Sequence, residues 1–201
     1  MSYWEHSKPV LRTRAVDACG VARAAIALLD EGGLRALTVR AVAGRLGVAP
    51  ASLYSRVETV DDVFDLALDE ALGGSVIRAA LAEAGIVDLM LVYFRHLALH
   101  PWVCQVIGMR APRGPNYLRL SERMITLLTE DGASDPLGAA YTLSNFVIGS
   151  AITAPMANHE RNTPIDPEVA PCYAQLHAEH TVDPELIVTA GLAALHARVT
   201  N

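Results

Sequence analysis

Two arginines, Arg40 and Arg56, lie in a short segment whose residue types are suited to contacting DNA. A guanidinium group can donate two parallel hydrogen bonds to one guanine, a contact worth ~1–3 kcal/mol of discrimination, or it can pair with a phosphate. Both arginines could equally be ordinary solvated charges. The helices that carry them decide between these interpretations.

The segment 38–57 has the spacing of a helix-turn-helix. Apolar residues mark one side of a first short helix, a glycine turns the chain, and two apolar residues hold a second helix against the first. These positions are Val39, Val42, Ala43, Leu46, Gly47, Leu53 and Val57. Because such a unit lays its second helix in the major groove, the spacing predicts a DNA partner. The alternative is an ordinary helical hairpin.

Charge is distributed unevenly along the 201 residues, whose formal net charge is −6. Residues 1–60 hold eight Lys or Arg and five Asp or Glu, giving +3, and the rest hold eight and seventeen, giving −9. A basic head on an acidic body suits phosphate attraction at one end. Because a net charge of +3 gives only a modest attraction to phosphates, tight binding to DNA would need two heads acting together. Lys8, Arg12 and Arg14 form either an arm along phosphates or a disordered tail.

Helical periodicity and widely spaced Gly and Pro predict an all-α protein with a small head and a larger body. A first helix over about 13–31 buries Val16, Cys19, Ala22, Ile26 and Leu29, and Gly32-Gly33 ends it. Thr38 caps the next helix, Pro50 opens the second helix of the unit, and Thr59 begins a linking helix. We place the DNA-binding domain at 1–75 and a ligand-binding and dimerisation domain at 76–201.

The body is predicted to be helical throughout, with one polar loop. The expected helices cover about 86–99, 101–109, 117–130, 135–158 and 184–199, with a loop at 110–116 and a polar loop at 159–182 that holds at most a short helix. The 135–158 and 184–199 helices carry more apolar surface than one subunit can cover. We therefore expect them to pack against a second copy as a four-helix bundle.

Residues 41–72, AVAGRLGVAPASLYSRVETVDDVFDLALDEAL, resemble the tetracycline-repressor (TetR) family of bacterial transcriptional regulators. They match the pattern A-x-x-L-G-V-x-x-x-x-L-Y-x-[HYR]-[FV], and the lead-in at Glu31, Gly33, Leu34, Leu37 and Thr38 also fits. HP at 100–101, GPN at 114–116 and a long helix near Gly149 resemble the tetracycline-repressor-type C-terminal domain.

The resemblance implies a homodimeric repressor that reads a palindromic operator and is released by a small-molecule effector. Thr38 and Arg40 would touch backbone and base, and Tyr54 would hold a phosphate. The side of the recognition helix facing the groove would comprise Ala49, Pro50, Ala51, Ser52, Ser55 and Arg56. Two features depart from the family: no lysine follows the recognition helix at 58–60, and Pro50-Ala51 can touch only a thymine methyl.

Effector contacts are expected from the body. The candidates are Tyr93, His96, His100, Met109, Asn116, Tyr117, Phe146 and Met156. Asn116 and His96 are favoured among the polar groups, because a mostly apolar pocket orients its ligand with few polar side chains. Any of the aromatic residues could instead be ordinary core, and His100 could be a capping residue before Pro101.

Neither a cofactor nor a metal is expected. His177, Glu179 and His180 have helical metal-ligand spacing, but no third ligand is visible and a solvated segment explains them better. No catalytic motif is apparent. Cys19, Cys104 and Cys172 are unpaired by spacing, and no apolar run spans a bilayer, so we expect a cytoplasmic protein without a membrane partner. The alternatives are a regulator without an effector, or a helical ligand carrier or metal-dependent enzyme with a vestigial head.

Overall fold

A computed structural model describes residues 2–6, 16–160 and 163–200, and every regular secondary-structure element within them is a helix. The head contains α2 (Ala18–Gly32), a 3₁₀ turn at Leu34–Ala36, α3 (Val39–Leu46) and α4 (Pro50–Leu53), after a short α1 (Tyr3–His6). The linking helix α5 (Val60–Leu72) follows. The expected all-α class is confirmed.

The head helices begin and end where local signals place them. Asp17 caps α2 by accepting a hydrogen bond from the Gly20 amide at 3.1 Å. Gly33 ends α2 with φ 65°, a left-handed value that favours glycine. Thr59 caps α5 in a capping box with Asp62, whose carboxylate accepts from the Thr59 amide.

The body contains eight further helices within the described residues. They are α6 (Ser75–Glu83), α7 (Ile86–Leu99), α8 (Pro101–Met109), α9 (Pro115–Glu130), α10 (Pro136–Thr153), α11 (Met156–Glu160), α12 (Pro171–Glu179) and α13 (Pro184–Val199). α7 packs against α10, and α13 covers both. α5 contacts α2 on the head side and α8 and α9 on the body side, so it joins the two parts.

Several predicted boundaries need correction. α2 begins at Ala18 behind its Asp17 cap, and the start expected at residue 13 lies outside the described residues. Cys19 is exposed, whereas Ala24 and Ala25 are buried, because α2 is packed on two sides by α3 and α5. The helix expected to reach residue 158 ends at Thr153, two residues before Pro155, whose ring and missing N–H disfavour a continuous helix.

Two helices, α1 and α6, were not predicted from the sequence. No helix was predicted over α1, and its Tyr3 is only 6% exposed. α6 follows the paired glycines Gly73-Gly74 as a separate helix. α9 also begins at Pro115, two residues earlier than expected, because proline suits the first helical position.

Candidate nucleic-acid interface and junction cavity

The helix-turn-helix of α3 and α4 is held by its cap, its turn and its apolar inner face. The Thr38 hydroxyl accepts from the Ala41 amide at 3.0 Å, which caps α3. Gly47 adopts φ 67°, and the following Val48 amide returns to the Ala43 carbonyl at 3.0 Å. Leu53 and Val57 are fully buried. The unit therefore presents one defined outer face.

Most residues predicted to contact DNA lie on that outer face with their side chains exposed. They are Thr38, Arg40, Ala49, Pro50, Ala51, Ser52, Tyr54 and Ser55. Tyr54 is 59% exposed, so its side chain is accessible to a partner outside the chain. The Ser55 hydroxyl donates to the Ser52 carbonyl, so its proton is used within the helix while its lone pairs stay available.

The arginines of the head differ in what they already bind. Arg56 is half-buried, and its Nε donates to the Val16 carbonyl at 2.6 Å, which ties the end of α4 to the start of α2. Arg45 pairs with Glu31 of α2. Arg40 is exposed and makes no hydrogen bond or ion pair with any described residue. Arg40 is thus the freest of the three for a DNA contact, while Lys8, Arg12 and Arg14 lie outside the described residues.

The Asp65 carboxylate on α5 accepts hydrogen bonds from residues near the start of the chain. It accepts from the Tyr3 amide at 2.8 Å and the Ser2 hydroxyl at 3.0 Å. Arg110 donates to the same carboxylate from Nε at 2.9 Å. A carboxylate only 5% exposed is stable here because these donors replace water.

Asp69, one helical turn further along α5, binds the start of α9. It accepts from the Asn116 amide at 2.8 Å and the Tyr117 amide at 3.1 Å, and also from Asn116 Nδ2. Burial raises the Asp69 pKa, although these hydrogen bonds act to lower it. Asn116 was favoured as a ligand contact, but its amide is already engaged by the linking helix. Which helix end meets α5 follows from the packing of whole helices and not from the local sequence.

A cavity of about 450 Å³ lies where the head meets the body, between α2, α5, α6 and α7. Ile26, Ala71, Ile77 and Val92 supply apolar walls. Of the residues predicted to bind an effector, His96 and His100 line it. Sequence analysis placed the candidate effector-binding residues only in the body. It did not indicate that the head forms part of the cavity wall.

The other predicted effector residues lie elsewhere. Tyr93 is 3% exposed in the core, where burial raises the pKa of its phenol far above the ordinary value. Tyr117 and Phe146 are half-buried and pack against the core. Met109 is exposed, and Met156 lines a second cavity of about 310 Å³ beside α13. The structure therefore does not bring the predicted set into one pocket.

His96 and His100 lie side by side, with ring centroids 4.8 Å apart, but differ in their partners. His96 Nε2 is buried and has no hydrogen-bond partner among the described residues. Burial, helped by nearby His100, lowers the His96 pKa to about 4, so the ring is neutral at pH 7. His100 Nδ1 and Trp102 Nε1 both lie 2.7 Å from Asp30 Oδ1 at the end of α2. Body and head are thereby hydrogen-bonded to one another.

The outer faces of α10 and α13 carry large exposed apolar residues. They are Leu137, Tyr141, Ile152, Leu186 and Ile187. Within the described part of the chain no helix is long and apolar enough to cross a membrane. The described His, Cys, Asp and Glu residues form no group of three placed to hold a metal; the His180 ring lies 3.1 Å from its own helix carbonyl at Leu176.

Comparison with known proteins gives two family matches. Residues 17–56 match bacterial regulatory proteins of the tetR family, and residues 92–180 match the tetracyclin repressor-like C-terminal domain. An HTH-type transcriptional regulator of Saccharopolyspora erythraea is 37% identical over 148 residues, covering 70% of this chain and 61% of that protein. The HTH-type transcriptional repressor DrrR1 of Streptomyces coeruleorubidus is 34% identical over 142 residues, covering 65% and 51%. The matched part thus spans about half to three-fifths of these relatives.

A solved structure shares the fold. The Streptomyces coelicolor TetR family protein ActR, in complex with actinorhodin, superimposes with a TM-score of 0.71 at 24% identity, over 92% of this chain and 96% of that one. The two family matches together cover more than half of the chain and include both the helix-turn-helix and most of the body. The chain belongs to the tetR family of bacterial regulatory proteins.

Proposed function

We propose that this protein is a transcriptional repressor that binds a palindromic DNA site as a homodimer and releases it when a small molecule binds. The observation that carries the proposal is the outer face of α3 and α4, where Arg40, Tyr54 and the start of the recognition helix are exposed together. The names of the relatives and the regulator family support the same function.

Two-fold pairing is part of the proposal. A head with a net charge of +3 makes few phosphate contacts, so two heads on one DNA molecule would give the affinity that one lacks. Two-fold symmetry sets the half-sites about one DNA turn apart. The exposed apolar faces of α10 and α13 are the surface that we propose for pairing.

Release by a small molecule requires that the ligand bind the DNA-free form more tightly than the DNA-bound form. A hundredfold loss of DNA affinity corresponds to about 2.7 kcal/mol of coupling. Asp30, which accepts from both His100 and Trp102, is a contact through which movement of the body would reach α2. ActR, which shares the fold, is a family member that has been seen with a small molecule bound.

The test is DNA binding by the full chain. Fluorescence anisotropy with the DNA flanking its own gene should show sequence-specific binding that exceeds binding to scrambled DNA of equal length, and that weakens as salt rises. Sedimentation of the complex should give two chains for each palindrome. Absence of binding to every duplex at low salt would remove the proposal and favour the helical ligand carrier. A thermal-shift panel of small molecules then tests for effector binding, because a ligand raises the stability of the state that it binds.

A further inference from the structure

Residues 2–6 lie along the linking helix α5 as a docked segment, which we call the strap. Tyr3 is 6% exposed, and the Trp4 ring meets it edge to face, with the two centroids 5.1 Å apart. A free tail would leave two large rings in water, at a cost that burial avoids. α1, which forms most of the strap, packs against α5. The strap is therefore part of the folded structure.

One buried carboxylate holds the middle of the strap and the body together. Asp65 of α5 accepts from the Tyr3 amide and the Ser2 hydroxyl of the strap. It also accepts from Arg110, the residue that follows α8. Arg110 pairs in addition with Asp61, one turn earlier on α5, at 2.7 Å. Because a buried carboxylate depends on donors that replace water, the strap and the body share one anchor on the linking helix.

His6 brings the strap to the head end of α5. Its Nε2 atom lies 3.0 Å from Asp62 Oδ1, and its Nδ1 atom lies 3.9 Å from Glu58 Oε1. Glu58 lies between the recognition helix and α5, and Asp62 belongs to the capping box that begins α5. Burial raises the pKa of the Tyr3 phenol, while the nearby Arg56 guanidinium acts to lower it and the Asp62 carboxylate adds to the rise. The strap therefore lies close to the residues that follow the recognition helix.

Trp4 brings the strap to the body. Its side chain shares a small gap with Leu68 of α5 and with Pro112 and Arg113, which precede α9. The gap is too small for a water molecule, so these side chains pack against one another without intervening solvent. A shift of α5 relative to the body must therefore displace Trp4.

We propose that the strap fixes the angle between head and body, and thereby sets the separation at which two paired heads meet the half-sites of the operator. This role rests on the proposed function, whereas the docking of the strap does not. The angle is set at α5, because that helix joins the two parts. The strap contacts the turn after the recognition helix through His6, the middle of α5 through Tyr3, and the body through Trp4, so a change of angle breaks one of these contacts. A fixed angle lowers the entropy lost when the second head binds.

Chymotrypsin cleavage of the full chain measures the docking. Mass spectrometry follows the cut after Trp4, whose rate depends on the fraction of chains in which the strap is undocked. Tyr3→Ala removes the buried side chain and should speed this cut about tenfold or more. Tyr3→Phe keeps the ring and the amide and should be cut at the wild-type rate. Equal rates for Tyr3→Ala and the wild type would overturn the docked strap.

DNA binding by the same proteins measures the positioning. The probes are the fragment flanking the protein's own gene that carries the operator, the same fragment with one base pair inserted between the half-sites, and a duplex with a single half-site. The insertion moves the half-sites apart by about 3.4 Å and turns one relative to the other by about 34°. The wild type should lose more affinity on insertion than Tyr3→Ala, whose heads turn more freely. Tyr3→Ala should bind the uninterrupted operator about fivefold more weakly than the wild type, because its heads lose more entropy on binding.

Tyr3→Phe is the matched control and should behave as the wild type on all three duplexes. The single half-site should bind Tyr3→Ala and the wild type equally, which shows that the head of the variant is folded. The same loss on insertion in Tyr3→Ala and the wild type would overturn the positioning role. Absence of specific DNA binding by the wild type would contradict the proposed function and this role together, while the cleavage rates would still decide whether the strap is docked.

Discussion

Arg40 differs from its neighbours because nothing in the described chain competes for its guanidinium. Arg45 is paired with Glu31, and Arg56 donates to the Val16 carbonyl. An arginine held by its own protein loses part of its capacity to donate to a base. We therefore propose that Arg40 rather than Arg56 reads a base, and that Arg56 positions the end of α4 against the start of α2.

Arg40→Ala should lower affinity for the operator more than affinity for random DNA. A bidentate contact with guanine is worth ~1–3 kcal/mol of discrimination, and the substitution removes it. Arg35→Ala, at another exposed arginine of the head, removes the same charge and should weaken both DNAs alike. Anisotropy at one fixed salt concentration measures the six affinities of the wild type and the two variants for the two DNAs. Equal losses for Arg40→Ala on the two DNAs would make Arg40 a phosphate contact.

His96 should make the stability of the protein depend on pH in the acidic range. Its pKa in the folded chain is about 4, against 6.5 ordinarily, with burial as the main cause, His100 adding to it and Asp30 opposing it. As pH falls, His96 is therefore protonated at a higher pH in the unfolded chain than in the folded chain. The stabilising contribution is fully present above pH 6.5 and is lost as pH falls from 6.5 towards 4.

His96→Gln removes this proton uptake. Between pH 6.5 and 4.5 the wild type should lose more free energy of unfolding than the variant, by on the order of 2 kcal/mol. Urea unfolding at a series of pH values measures the difference. Parallel curves for the two proteins would show that His96 titrates alike in the folded and unfolded chains.

Helix α5 is connected to the body through the start of α9. The Asp69 carboxylate lies where the first amides of α9 point, which satisfies groups that have no partner inside the helix. Gly114 permits this approach. A Cβ atom added at Gly114 would lie 2.1 Å from Asp69 Oδ1, closer than any contact between these atoms allows.

Gly114→Ala should therefore destabilise the fold by about 1–3 kcal/mol, because the carboxylate must move away from its donors. Gly108→Ala is the matched control in α8, since a Cβ atom there meets nothing within 4 Å. Alanine in a helix should leave stability unchanged or raise it by up to about 1 kcal/mol. Urea unfolding compares the two variants. Equal stability of both would contradict the role of the Asp69 cap.

The pairing of two chains that we propose through α10 and α13 would decide whether the weakly basic heads can hold DNA. Leu186 is 68% exposed on α13 and belongs to the apolar face described above. A glutamate there would have to be desolvated in a paired face, at a cost greater than that of losing the leucine contact.

Leu186→Glu should shift the protein towards a monomer and lower operator affinity at least tenfold, because one head then acts alone. Leu118→Glu, at a position 49% exposed on α9, is the matched control and should remain dimeric. Analytical ultracentrifugation measures the state of association. A dimer that survives Leu186→Glu with unchanged affinity would place the interface elsewhere.

Local signals in the chain were enough for the helix-turn-helix and for most of the helices. Thr38, Gly47, Pro50 and Thr59 act on backbone groups within a few residues of themselves, and the structure confirms all four. Pro155 is an equally local signal, yet the predicted helix ran on to residue 158, and that end was wrong. The motif over 41–72 also identified the family.

Tertiary packing alone decided which polar side chains remain available. Tyr3 donates to Asp65 across 62 residues, Asn116 to Asp69 across 47, and His100 contacts Asp30 across 70. No periodicity encodes such pairs, because each forms only after whole helices have packed and left particular donors next to particular carboxylates. For the same reason the junction cavity between α2, α5, α6 and α7 exists only in the assembled fold.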